Sequence, residues 1–139
     1  MGPETLSLQI AAAPEQVGLV RRRVAEHVRT LAFDDDDVDA LILAVGEACN
    51  NAVSYGGGGA PDPVVSVTCA LIAEGRLQVD IRNQGNHFHP DVPALSTLPD
   101  PADFATHGRG FALMRALVDD VQVLSDGHNT TVRLTKQRS

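Results

Sequence analysis

Glu47 and Asn51 stand four residues apart in the apolar stretch LILAVGEACNNAV. On a helix that spacing stacks the two side chains along one edge, so that a carboxylate and an amide can act on a single ligand. Helical phase sets Ala44 and Ala48 beside them, where small side chains leave room for a ligand. It turns Leu41, Val45 and Ala52 inward and Asn50 toward solvent. A second feature is His107-Gly108-Arg109-Gly110, directly before an apolar helical run. Glycines there let backbone amides approach an anion that the helix dipole also favours, and phosphate is the natural ligand. A third is the box Asn83-Gln84-Gly85-Asn86-His87-Phe88 at the end of a predicted strand. Each feature alone has a plainer reading: a solvated helix edge, a glycine turn, a strand end.

The elements that position these residues follow from periodicity. Leu6, Leu8 and Ile10 alternate with polar residues, as a half-buried strand requires. From Pro14 to Leu31, Val17, Val20, Val24, Val28 and Leu31 recur on one helical face, which leaves Arg21, Arg22 and Arg23 mostly on the solvent side. The run Asp34 to Asp37 precedes a second helix, Val38 to Val53, and reads as its cap. Tyr55 and the glycines at 56–59 end that helix. Val64 to Ile72 and Arg76 to Ile81 form a hairpin around Ala73-Glu74-Gly75. Residues 86–107, rich in Pro and Asp, form a long loop of the kind that serves as a lid. A helix from Phe111 to Val118 and two strands, Val121 to Leu124 and Thr130 to Thr135, complete the order.

With 139 residues the chain fits one domain spanning 1–139. Aromatics are only 4% and Trp is absent, so the core must be aliphatic. A net charge of -7 argues against nucleic acid as a partner, because phosphate-backbone binding needs a concentrated basic surface. Cys49 and Cys69 lack metal or redox spacing and read as buried thiols. His87, His89 and His107 have no acidic or cysteine partner at regular spacing, so a metal cluster is not expected there. No apolar run reaches the length of a membrane span, and a cytoplasmic location is the expectation.

Taken together, the helix motif Glu47-Ala48-Cys49-Asn50-Asn51-Ala52, the box at 83–88, GRGFALMRALVDDV at 108–121 and GHNTTVRLTK at 127–136 resemble the GHKL, or Bergerat-fold, ATPase domains. The resemblance covers the whole chain and is closest to the small anti-sigma-factor serine/threonine kinases. It implies an α+β two-layer sandwich, with a mixed, mostly antiparallel sheet, helices on one face and an ATP lid at about 86–107. It further implies ATP and magnesium as ligands. Glu47 would orient or activate the attacking hydroxyl, and Asn51 would coordinate the magnesium. Gly108, Arg109 and Gly110 would hold phosphates, Asn83 and Gly85 would form the adenine box, and Thr130 or Thr131, with Thr131 preferred, would place a hydroxyl near the base. The implied partners are a sigma factor and a STAS-type antagonist, with a homodimer possible.

The box departs from the family pattern Asp-x-Gly-x-Gly. Asn83 stands where the adenine-reading Asp is expected, and His87 replaces the second Gly. The Asn carbonyl can still accept from the adenine amino group but without a charge-assisted bond, so adenine affinity should weaken. His87 adds bulk where the lid begins. Both departures keep open a second reading, in which the chain is a partner-binding module of the same fold that has lost ATP or catalysis.

Overall fold

A computed structural model describes residues 5–55, 63–84, 96–97, 108–125 and 129–139. The elements run β1 (Thr5–Ala11), a 3-10 turn (Pro14–Gln16), α1 (Val17–Arg29), α2 (Asp35–Tyr55), β2 (Val64–Ala73), β3 (Arg76–Gln84), β4 (Ser96–Thr97), α3 (Gly108–Leu117), β5 (Asp120–Ser125) and β6 (Asn129–Gln137). The strands form one sheet in the order β1-β2-β3-β6-β5-β4. Every described pair is antiparallel, so the mixed element of the expected sheet is absent among the described residues. Five of the strands are long; β4 is a two-residue strand on β5, within a segment expected to be loop throughout. The rest of 86–107 lies outside the described residues.

Alternation splits the sheet into two unlike faces. Leu77, Val79 and Ile81 of β3, Val65, Val67 and Cys69 of β2, and Val132 and Leu134 of β6 are buried beneath the helices. The intervening positions carry polar groups, among them a bidentate pair in which Arg133 donates to Asp80 at 2.9 and 3.1 Å. The helical layer contributes Val17, Val20, Val24 and Val28 from α1 and Val38, Leu41, Val45 and Ala52 from α2, at the predicted phases. The core is aliphatic as composition required, with Phe33 and Phe111 as its only aromatics among the described residues. Cys49 and Cys69 lie in it, and burial pushes each thiol up to about 12, with Arg21 opposing the rise at Cys49. A thiol held that high stays protonated and inert.

The aspartate run does two jobs. Asp34 is the cap: its Oδ1 accepts the backbone N–H of Asp37 at 2.8 Å, satisfying a free donor of the first turn of α2. Asp37 instead turns inward and is 4% exposed. It accepts the backbone N–H of Ser139 at 2.9 Å and the Ser139 hydroxyl at 2.7 Å, with the Lys136 ammonium 3.7 Å away. Arg138 adds a bond of 3.2 Å to the Leu31 carbonyl and lies 6.0 Å from the centre of the Phe33 ring. The end of β6 is thereby tied to the α1–α2 connection and to the first turn of α2.

That connection holds a strained residue. Ala32 has φ of 65°, in the left-handed region that costs a residue with a Cβ roughly 1 kcal/mol or more and costs glycine nothing. Ala32→Gly is therefore expected to raise the melting temperature by a few degrees in a thermal unfolding scan, the relieved strain outweighing the added entropy of the unfolded chain. At Asp37, burial works against the charge, but the Ser139 amide and hydroxyl and the Lys136 ammonium outweigh it and hold the carboxyl below its ordinary 3.8. A depressed folded value stabilises fully above the unfolded value and is lost as pH falls through the folded one. Asp37→Asn should accordingly cost about 1–3 kcal/mol near neutral pH. Denaturant titrations at falling pH should show that gap narrowing once the pH drops below about 4.

Candidate functional site

Three elements bring the predicted residues to one end of the sandwich, and chain geometry shows why. Asp37 fixes the start of α2 at the Gln137 end of the β3–β6 ladder, where Arg76 pairs with Gln137. From Asp37 to Asn51 a helix rises about 21 Å. From Gln137 back to Thr130 a strand spans about 24 Å. The second half of α2, with Glu47 and Asn51, is thus carried to the opposite end of the ladder, where Asn83 pairs with Thr130. α3 arrives at the same end. Its last turn leads through Asp119, whose N–H bonds the Thr135 carbonyl at 2.9 Å, into β5, and β5 runs back toward the Ser125–Thr130 pair. The start of α3 therefore faces the Asn83 end, and the amides of Gly108, Arg109 and Gly110 are the free donors of its first turn.

Glu47 is half-buried and Asn50 exposed, as helical phase required. Ala44 and Ala48 are wholly buried core residues. Their small size serves the packing of α2, not an open margin for a ligand as expected from phase alone. Asn51 is half-buried, and its Nδ2 is shut off from solvent with no hydrogen-bond partner among the described residues. A buried amide group left unpaired costs about 1–3 kcal/mol, so this nitrogen beside Glu47 is a polar group that the described residues leave to another partner. Because the two ends of an amide are assigned from their bonds, an unbonded one can present either its oxygen or its nitrogen. That is the donor set a hard cation or a phosphate requires.

Asn83 is 9% exposed and sits on the helix-covered face between Val65 and Thr130. Its Oδ1 accepts the backbone N–H of Thr130 at 3.0 Å. The register also decides between the two threonines. Thr130 shares the face of Asn83, Val132 and Leu134, whereas Thr131 pairs with Arg82 and Leu124 on the polar face. Thr131 is thus not brought to Asn83, and Thr130 is the residue the strand offers there. The bond from the Thr130 amide was not legible beforehand, because two successive threonines give alternation nothing to choose between. Gly85, His87, His89 and His107 lie outside the described residues. Among the described residues no group of His, Cys, Asp or Glu is arranged to hold a metal, and no helix is long and apolar enough to cross a membrane.

Helices on one face of an antiparallel sheet, with an acid–amide pair on α2 and a polar strand end at the far end of the ladder, define an α+β two-layer sandwich. The chain belongs to the histidine kinase-like ATPase domain family, whose model matches residues 10–136. Within it, the chain is similar to the RsbW serine-protein kinases and anti-sigma factors. It is 30% identical to the serine-protein kinase RsbW of Bacillus pumilus, over 96% of this chain and 85% of that protein. It is 33% identical to RsbW of Bacillus velezensis, over 94% and 84%, and 29% identical to the anti-sigma F factor of Heyndrickxia coagulans, over 94% and 90%. A structure of the RsbU and RsbW domains of a Mycobacterium tuberculosis protein shares the fold with a TM-score of 0.71 at 21% identity, over 96% of this chain and 32% of that one.

The unpaired Asn51 amide gives a direct test. Asn51→Leu keeps the volume and removes the polar group, so it is expected to leave unfolding free energy unchanged or raise it by about 1 kcal/mol in denaturant titration. A loss of several kcal/mol would mean that Asn51 is paired within the fold.

Proposed function

We propose that this chain, working as one domain, is an ATP-dependent protein serine/threonine kinase that holds a sigma factor and releases it by partner switching with a STAS-type antagonist. The observation that carries the reading is the Nδ2 of Asn51, four residues after Glu47 on α2, buried and without a hydrogen-bond partner among the described residues. The family match and the RsbW and anti-sigma relatives support the nucleotide and the partner class. A bound magnesium–ATP supplies the phosphoryl group and neutralises its charge. The residues of this chain do the rest. Asn51 turns its amide oxygen to the metal, and the first-turn amides of α3 at Gly108, Arg109 and Gly110 hold phosphate oxygens. Glu47, on the same helix edge, orients the incoming hydroxyl and accepts its proton. Asn83 and Thr130 face the base, and residues 86–107 act as the lid. Partner choice rests on the resemblance to the relatives, as does a homodimer, and the cytoplasm is the compartment in which such partners meet.

A second reading, a partner-binding module without ATP, is favoured by one observation: the carbonyl that Asn83 would offer adenine is shared, since it already accepts from Thr130 and keeps one lone pair for a ligand. Calorimetric titration with ATP and magnesium separates the two. Binding at or below millimolar nucleotide is expected, and its absence would sink the kinase reading. Glu47→Gln should then lower phosphate transfer to a cognate antagonist at least about a hundredfold while nucleotide affinity changes little. Transfer that survives the substitution would remove Glu47 from the chemistry.

A further inference from the structure

Two exposed leucines stand beside Glu47. Among the described residues four large hydrophobic side chains are exposed, and two of them, Leu43 at 59% and Leu113 at 43%, lie on the neighbouring helices α2 and α3. Leu43 comes one turn before Glu47 on the same edge of α2, about 6 Å away along the axis. α3 packs against α2 and runs opposite to it, with its start at the Asn51 end. Leu113 is five residues into α3, and Gly46 is five residues back from Asn51, so Leu113 stands at about the height of Glu47. The flank of α3 that carries Leu113 is the one turned toward α2. Leu117, one turn further along that flank, is half-buried, whereas Ala112 and Ala116 on the other flank are exposed.

A lone exposed leucine is ordinary on a protein surface. Two on adjacent helices, with exposed Asp39 and Asn50 bounding them along α2, form an apolar spot with a polar rim, the pattern of a protein-docking surface. Glu47 is half-buried while both leucines are more exposed, so a segment that reaches the carboxylate passes over them. We infer that Leu43 and Leu113 seat the protein that brings the acceptor hydroxyl and help to determine which acceptor is taken. The inference rests on the proposed reading that Glu47 receives that hydroxyl. The acceptor it selects carries an apolar side chain about 6 Å from its serine or threonine, the axial step from Glu47 to Leu43. Residues two apart on one face of an extended segment lie about 6.6 Å apart, and residues three or four apart on a helix about 5–6 Å, so either backbone can present both groups at once.

The test is steady-state phosphate transfer from ATP to the cognate antagonist by wild type, Leu43→Gln, Leu113→Gln, the double variant and Leu43→Met. Each glutamine variant is expected to raise KM for the antagonist about tenfold, and the double variant to raise it further. Turnover at saturating antagonist, ATP affinity and unfolding free energy should match wild type, because a change confined to KM marks docking and not chemistry. Leu43→Met, apolar and of similar size, should keep the wild-type KM. A double variant with wild-type KM overturns the docking role while Glu47 keeps its place in the chemistry. If that variant also converts a wild-type dimer to monomer in light scattering, the patch belongs to a second copy of the chain. A rise in KM matched by a loss of unfolding free energy likewise overturns it, assigning the leucines to the fold. Absence of transfer by wild-type protein overturns both the docking role and the kinase reading beneath it.

Discussion

The axial position of α2 against the β3–β6 ladder is the constraint on which the site depends. A helix is a rigid rod of fixed rise, so fixing one end places every residue along it. Here the fixed end is the aspartate run: Asp34 closes the first turn, and Asp37 is held by Ser139 and Lys136 from the end of β6. The helix and the ladder then advance by similar lengths, and Asn51 reaches the strand end that carries Asn83 and Thr130 without any direct bond between them being needed. An apolar seam of Leu41, Val45 and Ala52 sets the rotation of the helix about its axis, which keeps Glu47 and Asn51 on one edge. Axial position is set by charge and hydrogen bonding at one end, and rotation by hydrophobic burial along the length.

The polar groups at the far end are a local cost borne by that frame. An Asn51 nitrogen unpaired among the described residues and a nearly buried amide at Asn83 stand at the margin of an aliphatic core. Each buried aliphatic side chain contributes about 1.5–3 kcal/mol, so the layer of valines and leucines on both sides of the sandwich can sustain them. Under the proposed reading such placement is the energetic mark of a binding site, polar groups kept at the margin of a core that apolar ones would stabilise further. The two asparagines differ: the Asn83 oxygen accepts from Thr130, whereas the Asn51 Nδ2 has no hydrogen-bond partner among the described residues.

Much of the fold was legible in the sequence because its signals are local. The valine period of α1, the alternation of β1 and the β2–β3 hairpin, and the small-aromatic composition that demanded an aliphatic core all act over a few residues. The capping role of the aspartate run was legible for the same reason, though only Asp34 fills it. Less local quantities went astray. Helical phase put Ala44 and Ala48 beside a ligand, but the depth of the core, which depends on the sheet packed beneath, buries both completely. Asp37 read as one of four equivalent carboxylates until the end of β6 reached it from a hundred residues away.

The sequence by itself determined the order of the helices and of the long strands, the two-layer class and the helix edge that Glu47 and Asn51 share, since periodicities of two and 3.6 are properties of the backbone. It also determined the chemical departure at position 83, because residue identity requires no structure. Only the tertiary structure decided what Asn83 bonds to within the fold. Strand register selects Thr130 over Thr131, and it brings the Thr130 amide to the Asn83 carbonyl. Register is a relation between strands far apart in the chain, so no local pattern of residues could have set it.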